Sequence, residues 1–97
     1  MYIRQGDILF KKIDGQIEGK SQKNLIVAEG EATGHHHTLV AEASSEIIGD
    51  RTKFQIKGKA RLTHQEHDAI NFLAGTYVVI NEREFDYIEQ TLTQVKD

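Results

Sequence analysis

Residues 54–63 of the chain read Phe-Gln-Ile-Lys-Gly-Lys-Ala-Arg-Leu-Thr, with apolar and polar residues alternating on either side of Gly58. Alternation with a period of two is typical of a β-strand that buries one of its faces. A glycine between two such runs is typical of a turn. The segment therefore predicts two short strands, at 54–56 and 60–63, and makes β-structure the expectation for the chain on either side.

The rest of the chain repeats this pattern, with turn residues at spacings of roughly 8 to 12 positions, as in all-β sandwiches and barrels. Further segments rich in β-branched or aromatic residues predict strands at 7–13, 25–29, 36–42 and 76–80. No linker and no internal repeat interrupts the 97 residues. We therefore expect a single all-β domain over residues 1–97, folded as a small barrel or β-roll. Turns are expected at Asp14-Gly15, Gly30, Gly49-Asp50, Gly58 and Gly75.

The C-terminal segment fits two structures. Its apolar residues from Phe85 to Val95 fall close to a helical period, and Asn81 and Glu84 have the spacing of a capping box. The threonine and valine content of residues 91–95 fits an edge strand instead. The sequence leaves a short helix and an edge strand both open.

Composition argues against several classes of protein. The formal charge is −3 and the lysines and arginines are scattered, so no basic stripe is available for nucleic acid. Cysteine is absent, which excludes disulfides and thiolate metal ligands. Residues 1–7 are too polar for a signal peptide, and no run approaches the ~20 apolar residues of a membrane span. We expect a cytoplasmic protein with no nucleic-acid or membrane partner.

The apolar share of the chain is 38% and tryptophan is absent, which limits the core. A bound metal or self-association would supplement such a core. The sequence leaves a homo-oligomer and a protein partner open.

All five histidines lie in two short segments, of which the first, 34–37, reads Gly-His-His-His. If residues 36–42 form a strand, His35 and His37 project from one face and His36 from the other. Alternate residues of a strand are close enough to supply two imidazole nitrogens to one ion. His36 points away and is not expected to be a ligand.

The second segment, 64–67, reads His-Gln-Glu-His and follows the strand predicted at 60–63. Its two histidines are three positions apart, a spacing that converges only in a turn or at the start of a helix. Two such segments in one small domain predict a shared site for a divalent metal ion. The ligands expected are His35, His37, His64 and His67. Glu31, Glu42, Glu66 and Asp68 are close in sequence and are further candidates, as direct ligands or as hydrogen-bond partners of the histidines.

Imidazole ligands suit zinc, nickel, copper and ferrous iron, and we take zinc as the first expectation. Three bound histidines would leave a position for a water molecule, which Glu66 is placed to activate as a general base. Four bound histidines would close the site and give the ion a structural role. The sequence leaves a catalytic and a structural ion open.

A metal-free alternative uses the same residues, since paired histidines serve as general acid and base in phosphodiester cleavage. Residues 36–39, His-His-Thr-Leu, resemble the His-x-Thr-Leu half-motif of the two-histidine phosphoesterases. The second half-motif of those enzymes is missing, because the residue two places after His64 is not a threonine. A third alternative is an interaction protein of a phage or mobile element, without catalysis.

The three histidines at 35–37 followed by Glu42 also resemble the first cupin motif, in which a His-x-His pair and a glutamate bind one metal inside a β-barrel. A cupin carries its last histidine after a later turn, where residues 73–77 of this chain have none. This departure puts Glu42 in doubt as a ligand.

A fuller resemblance covers most of the chain. Residues 5–7, 30–37, 62–67, 74–77 and 83–85 are similar to segments shared by a group of small uncharacterised proteins from bacteria and phages. The resemblance implies a common architecture, an extended C-terminal end and a role for the four expected ligands in preference to His36. It implies no substrate.

Overall fold

The computed structural model describes residues 2–6, 8–29 and 35–81, and these form eight β-strands with no helix among them. The strands are β1 (Tyr2–Gln5), β2 (Ile8–Ile13), β3 (Ser21–Gln22), β4 (Asn24–Glu29), β5 (His36–Ala41), β6 (Glu46–Gly49), β7 (Lys53–Thr63) and β8 (Ile70–Asn81). The all-β prediction is confirmed. The helix or edge strand predicted within residues 84–95 lies outside the described residues.

The strands form one antiparallel sheet around the long hairpin of β7 and β8. On the β8 side the order continues through β2 to β1. On the β7 side the C-terminal part of β7 pairs with β5, which pairs with β4, and the N-terminal part pairs with β6, which pairs with β3. The sheet curls strongly into a half barrel, so that its inner face encloses the core.

The two strands predicted at 54–56 and 60–63 are one strand, and this part of the prediction was wrong. The register of β7 against β8 shifts between Ile56 and Lys59, which marks a bulge at Gly58. Gly58 has a φ of 106°, and a Cβ there would overlap the side chain of Ser45. Glycine therefore allows a bend inside a continuous strand here, where the sequence suggested a turn.

The strand predicted at 76–80 begins earlier, at Ile70, so Gly75 also lies inside a strand. Alternation is broken there, because Leu73 and Ala74 are both exposed and Thr76 and Tyr77 are both buried. Between these pairs, Gly75 is paired with Ile56 at the bulge. The strands β1, β3 and β6 were not predicted. β3 has two residues, and β6 has adjacent buried residues, Ile47 and Ile48, in place of an alternating pattern.

Four aromatic residues, Phe10, Phe54, Phe72 and Tyr77, form the centre of the core. The Phe72 ring packs edge-on against Phe10 with centroids 5.2 Å apart and against Tyr77 at 4.9 Å. The Tyr77 hydroxyl donates to the Leu73 carbonyl oxygen at 2.9 Å, and burial raises the pKa of this phenol above 10.0. Edge-to-face packing of this kind joins β2, β7 and β8 into one unit.

No helix among the described residues is long and apolar enough to cross a membrane.

Candidate metal site

The two histidine segments meet where the β5–β7 ladder ends. The last paired residues are Thr38 and Thr63, and continuing the same register past them places residue 37 opposite 64, 36 opposite 65 and 35 opposite 66. Contacts follow this order. The His36 backbone N–H donates to Gln65 Oε1 at 2.9 Å, and His35 Nδ1 lies 3.6 Å from Glu66 Oε1. Strand register therefore brings together two segments that are far apart in sequence.

His64 is the centre of the histidine cluster, which we define as His35, His37, His64 and His67. Its ring centroid lies 4.4 Å from that of His37, 4.6 Å from that of His67 and 5.5 Å from that of His35. The rings of His37 and His67 are 6.2 Å apart and nearly parallel, with 14° between their planes. The structure thus gathers the four predicted side chains; their role as metal ligands stays a prediction.

Exposure increases across the cluster. His37 is 3% exposed and shares its strand face with Leu39, which is fully buried. His35 and His64 are half-buried, whereas His67 and Glu66 are exposed. The cluster therefore has a floor against the core and an opening to solvent at the 64–67 turn.

At the floor, His37 is held by a residue from another strand. His37 Nδ1 lies 2.8 Å from Oε1 of Gln5, the last residue of β1 and itself 3% exposed. The Gln5 Nε2 group donates to the carbonyl oxygens of Asp68 at 2.9 Å and Leu62 at 3.3 Å. Sequence reasoning gave Gln5 no role, and the signal that was available is its place in the 5–7 segment of the family resemblance.

Gly6 lies directly against the cluster and was also missed. Its φ is 62°, in the left-handed region. A Cβ at this position would lie 2.7 Å from His67 Nε2 and 3.4 Å from His37 Cε1. Only glycine lets the backbone approach the two rings this closely in this conformation.

His64 is oriented by its own turn. Its Nδ1 accepts a hydrogen bond from the Glu66 backbone N–H at 3.0 Å, so a neutral His64 carries its proton on Nε2. Within residues 2–6, 8–29 and 35–81, no group of three or more His, Asp or Glu side chains is arranged to hold a metal ion as it stands.

His36 lies on the other face of β5, as predicted from strand alternation. It lines a groove of about 250 Å³ together with Thr38, Thr63, His64 and Gln65. Its Nδ1 is buried and has no hydrogen-bond partner among the residues that the structure describes. The histidine and the threonine of the phosphoesterase half-motif, His36 and Thr38, therefore line this groove, and that alternative stays a prediction.

The acidic candidates are distributed unevenly. Glu66 is beside His35, whereas Glu42 follows the opposite end of β5 and lies 3.7 Å from the Arg61 guanidinium. Five residues of extended chain separate Glu42 from His37 by about 16 Å. The cupin-like ligand set is therefore not assembled. Asp68 contributes its carbonyl oxygen to Gln5, and Glu31 lies outside the described residues.

Fold and cluster together define a small all-β domain with histidines gathered at the end of a strand pair. The chain belongs to a family described as a domain of unknown function, DUF8820, whose family model matches residues 4–82. The resemblance to an uncharacterised family is thereby confirmed, and the matched range contains Gln5, Gly6 and both histidine segments. No curated protein and no solved structure matches the chain.

Proposed function

We propose that this protein binds one divalent metal ion, with zinc as the first expectation, through His35, His37, His64 and His67. The observation that carries the proposal is the packing of four imidazole rings from two distant segments. Imidazole nitrogens bind zinc at about 2.0–2.1 Å, which puts ring centres about 3 Å from the ion and about 5 Å from one another in a tetrahedral site. Four of the six ring pairs have centres 4.4, 4.6, 5.5 and 6.2 Å apart, on both sides of that value.

Binding requires the rings to reorient, because no ligand group is preformed among the described residues, and it also requires a change of tautomer at His64. Coordination through Nε2 needs the proton on Nδ1, and this breaks the hydrogen bond from the Glu66 N–H. That bond is exposed, so water replaces it, at a cost of about 0.5–1.5 kcal/mol. Structural zinc in small domains contributes about 10–16 kcal/mol. The loss of this hydrogen bond is small beside the free energy of coordination.

The donor set limits the identity of the ion. Without cysteine, the histidine cluster offers imidazole nitrogen, and Glu66 at its edge offers carboxylate oxygen. This chemistry suits zinc, nickel, copper and ferrous iron, whereas magnesium and calcium prefer oxygen-only sites. We rank zinc first because it accepts a tetrahedral histidine set without a redox partner.

Metal analysis tests the proposal with a matched pair of variants. Purified protein dialysed against zinc at neutral pH is expected to retain one equivalent, and chelation should lower its Tm. His37→Ala should abolish retention, and His36→Ala, one residue away on the opposite face, should leave it intact. His67→Ala provides an exposed second ligand variant in case His37→Ala does not fold. Equal retention in all three variants, or no retention by the parent protein, would contradict the proposal.

Substitution of cobalt for zinc distinguishes a site with four protein ligands from one with an exchangeable water. With four bound imidazoles, the visible absorption spectrum of the cobalt protein should not change when small anions are added, because no coordination position can exchange. Three imidazoles and a water give a spectrum that changes as anions replace the water. The second result would leave a coordinated water molecule that Glu66 is placed to activate, the arrangement that a metal-dependent hydrolase needs.

A further inference from the structure

We propose that Gln5 is a positioning residue for the ion: its side-chain amide fixes the tautomer of His37 and aims the metal-binding nitrogen. This inference rests on the metal site proposed above. It adds a third segment, the end of β1, to a site that was predicted from two segments of the sequence.

The first step is the orientation of the amide. Gln5 Nε2 lies 2.9 Å from the Asp68 carbonyl oxygen and 3.3 Å from the Leu62 carbonyl oxygen. Both partners only accept hydrogen bonds, so the NH₂ group must face them, because the reverse orientation would set three oxygens against one another. The remaining atom, Oε1, is then fixed towards His37.

The second step is the tautomer. Gln5 Oε1 only accepts hydrogen bonds, so the neutral His37 ring must carry its proton on Nδ1 to use the 2.8 Å contact. Its Nε2 then holds the lone pair that a metal ion requires. Histidine ligands generally donate their second ring N–H to an oxygen, which fixes the ring and raises its basicity as a ligand.

The third step is burial. Gln5 and His37 are each 3% exposed, so water has little access to replace either partner. Removing the glutamine oxygen would leave a buried imidazole N–H without its acceptor, which favours the other tautomer or another ring orientation. Gln5 also joins β1, β5 and the 62–68 segment in one set of hydrogen bonds. The affinity for metal therefore depends on β1 staying in place.

The test separates positioning from general stabilisation. Gln5→Met keeps the side-chain length and removes both the hydrogen-bond donor and the acceptor. Gln22→Met is the matched control, because the Gln22 Nε2 group also links two segments, by donating to the Gly49 carbonyl oxygen at 3.0 Å. Gln22 lies in β3, which pairs with β6 and not with the strands that carry the histidine cluster. Long-range ¹H–¹⁵N correlation of metal-free, full-length protein reads the His37 tautomer, and zinc titration reads the affinity.

We expect the proton of His37 on Nδ1 in the parent protein and in Gln22→Met, and loss of this preference in Gln5→Met. Zinc affinity should fall by about 10- to 100-fold in Gln5→Met and stay within a few-fold in Gln22→Met. A His37 proton on Nε2 in the parent protein, or an unchanged tautomer in Gln5→Met, would overturn the inference. So would a changed tautomer with unchanged zinc affinity. Failure of the parent protein to bind zinc would overturn the proposed function and with it the positioning role, while the tautomer result would still report on the Gln5 hydrogen bond.

Discussion

Three consecutive histidines of this chain occupy three different environments. His37 is buried against the core and bonded to Gln5, His36 faces a groove on the other side of β5, and His35 is half-buried beside Glu66. Strand alternation predicted the separation of His36 from its neighbours. Nothing local predicted Gln5, because its contact with His37 spans 32 residues and depends on where β1 docks.

Gly6 offers a residue-scale test of how tightly the cluster is packed. Gly6→Ala should cost about 1–3 kcal/mol of stability through its left-handed backbone. It should also displace His67, since the new Cβ would lie 2.7 Å from the ring nitrogen, and so weaken zinc binding. Gly15→Ala is the control, because Gly15 also has a positive φ, of 112°, and nothing lies within 4 Å of its Cβ position. Urea unfolding and zinc titration of both variants are the measurements. Equal zinc affinities in the two would argue against contact with His67.

At the scale of elements, β7 shows a feature that the alternating pattern of apolar residues does not predict. Its two halves were predicted from their alternation, but their continuity was not, because a glycine that permits a bulge looks the same as a glycine that ends a strand. The bulge lets one strand pair with β5 along one half and with β6 along the other. The turn between β6 and β7, by contrast, was predicted from Gly49-Asp50, and the structure has a turn there, between Gly49 and Lys53.

Asp50 stabilises that turn by accepting three hydrogen bonds on Oδ1, from the Thr52 hydroxyl at 2.6 Å, the Thr52 N–H at 2.9 Å and the Lys53 N–H at 3.2 Å. These bonds, with the Thr52 hydroxyl first, lower the pKa of Asp50 below 3.8. A pKa lowered on folding stabilises the fold above the unfolded value and ceases to do so as the pH falls through the folded value.

The expected result is that Asp50→Asn lowers the Tm at neutral pH and that the difference from the parent protein shrinks as the pH falls below 3.8. Thr52→Val should reduce the same pH dependence, since it removes the largest cause of the shift. Melting curves from about pH 7 to about pH 3 measure both. A difference that stays constant over this range would show that the charge of Asp50 does not contribute.

At the scale of the whole molecule, one aromatic cluster joins the two halves of the sheet. Phe72 contacts Phe10 from β2 and Tyr77 further along its own strand, with Phe54 of β7 6.2 Å away. A small domain has few such groups, so a single core residue carries a large share of a total stability of about 5–15 kcal/mol.

Phe72→Ala should cost about 3–5 kcal/mol, because it empties the centre of this cluster. Leu73→Ala, at a neighbouring position that is 66% exposed, should change stability by less than about 0.5 kcal/mol. Urea unfolding of the two variants gives the comparison. Similar losses in both would mean that Phe72 is not the centre of the core.

The sequence predicted the fold class, most of the strands that carry an alternating pattern, and the meeting of the two histidine segments. It did not predict β1, β3 or β6, because short or non-alternating strands gain their stability from partners and not from their own pattern. It also missed Gln5 and Gly6, which reach the cluster only through the docking of β1. Long-range docking leaves little trace in the local order of residues.

The position of the cluster at the end of the β5–β7 ladder has a consequence for how the chain folds correctly. A slip of one residue between these strands would turn His36 towards the core and His37 away from it. Such a misaligned sheet would keep many of its backbone hydrogen bonds but would separate the imidazoles. An ion that binds only the gathered rings would therefore stabilise the correct register of β5 and β7 relative to the register shifted by one residue.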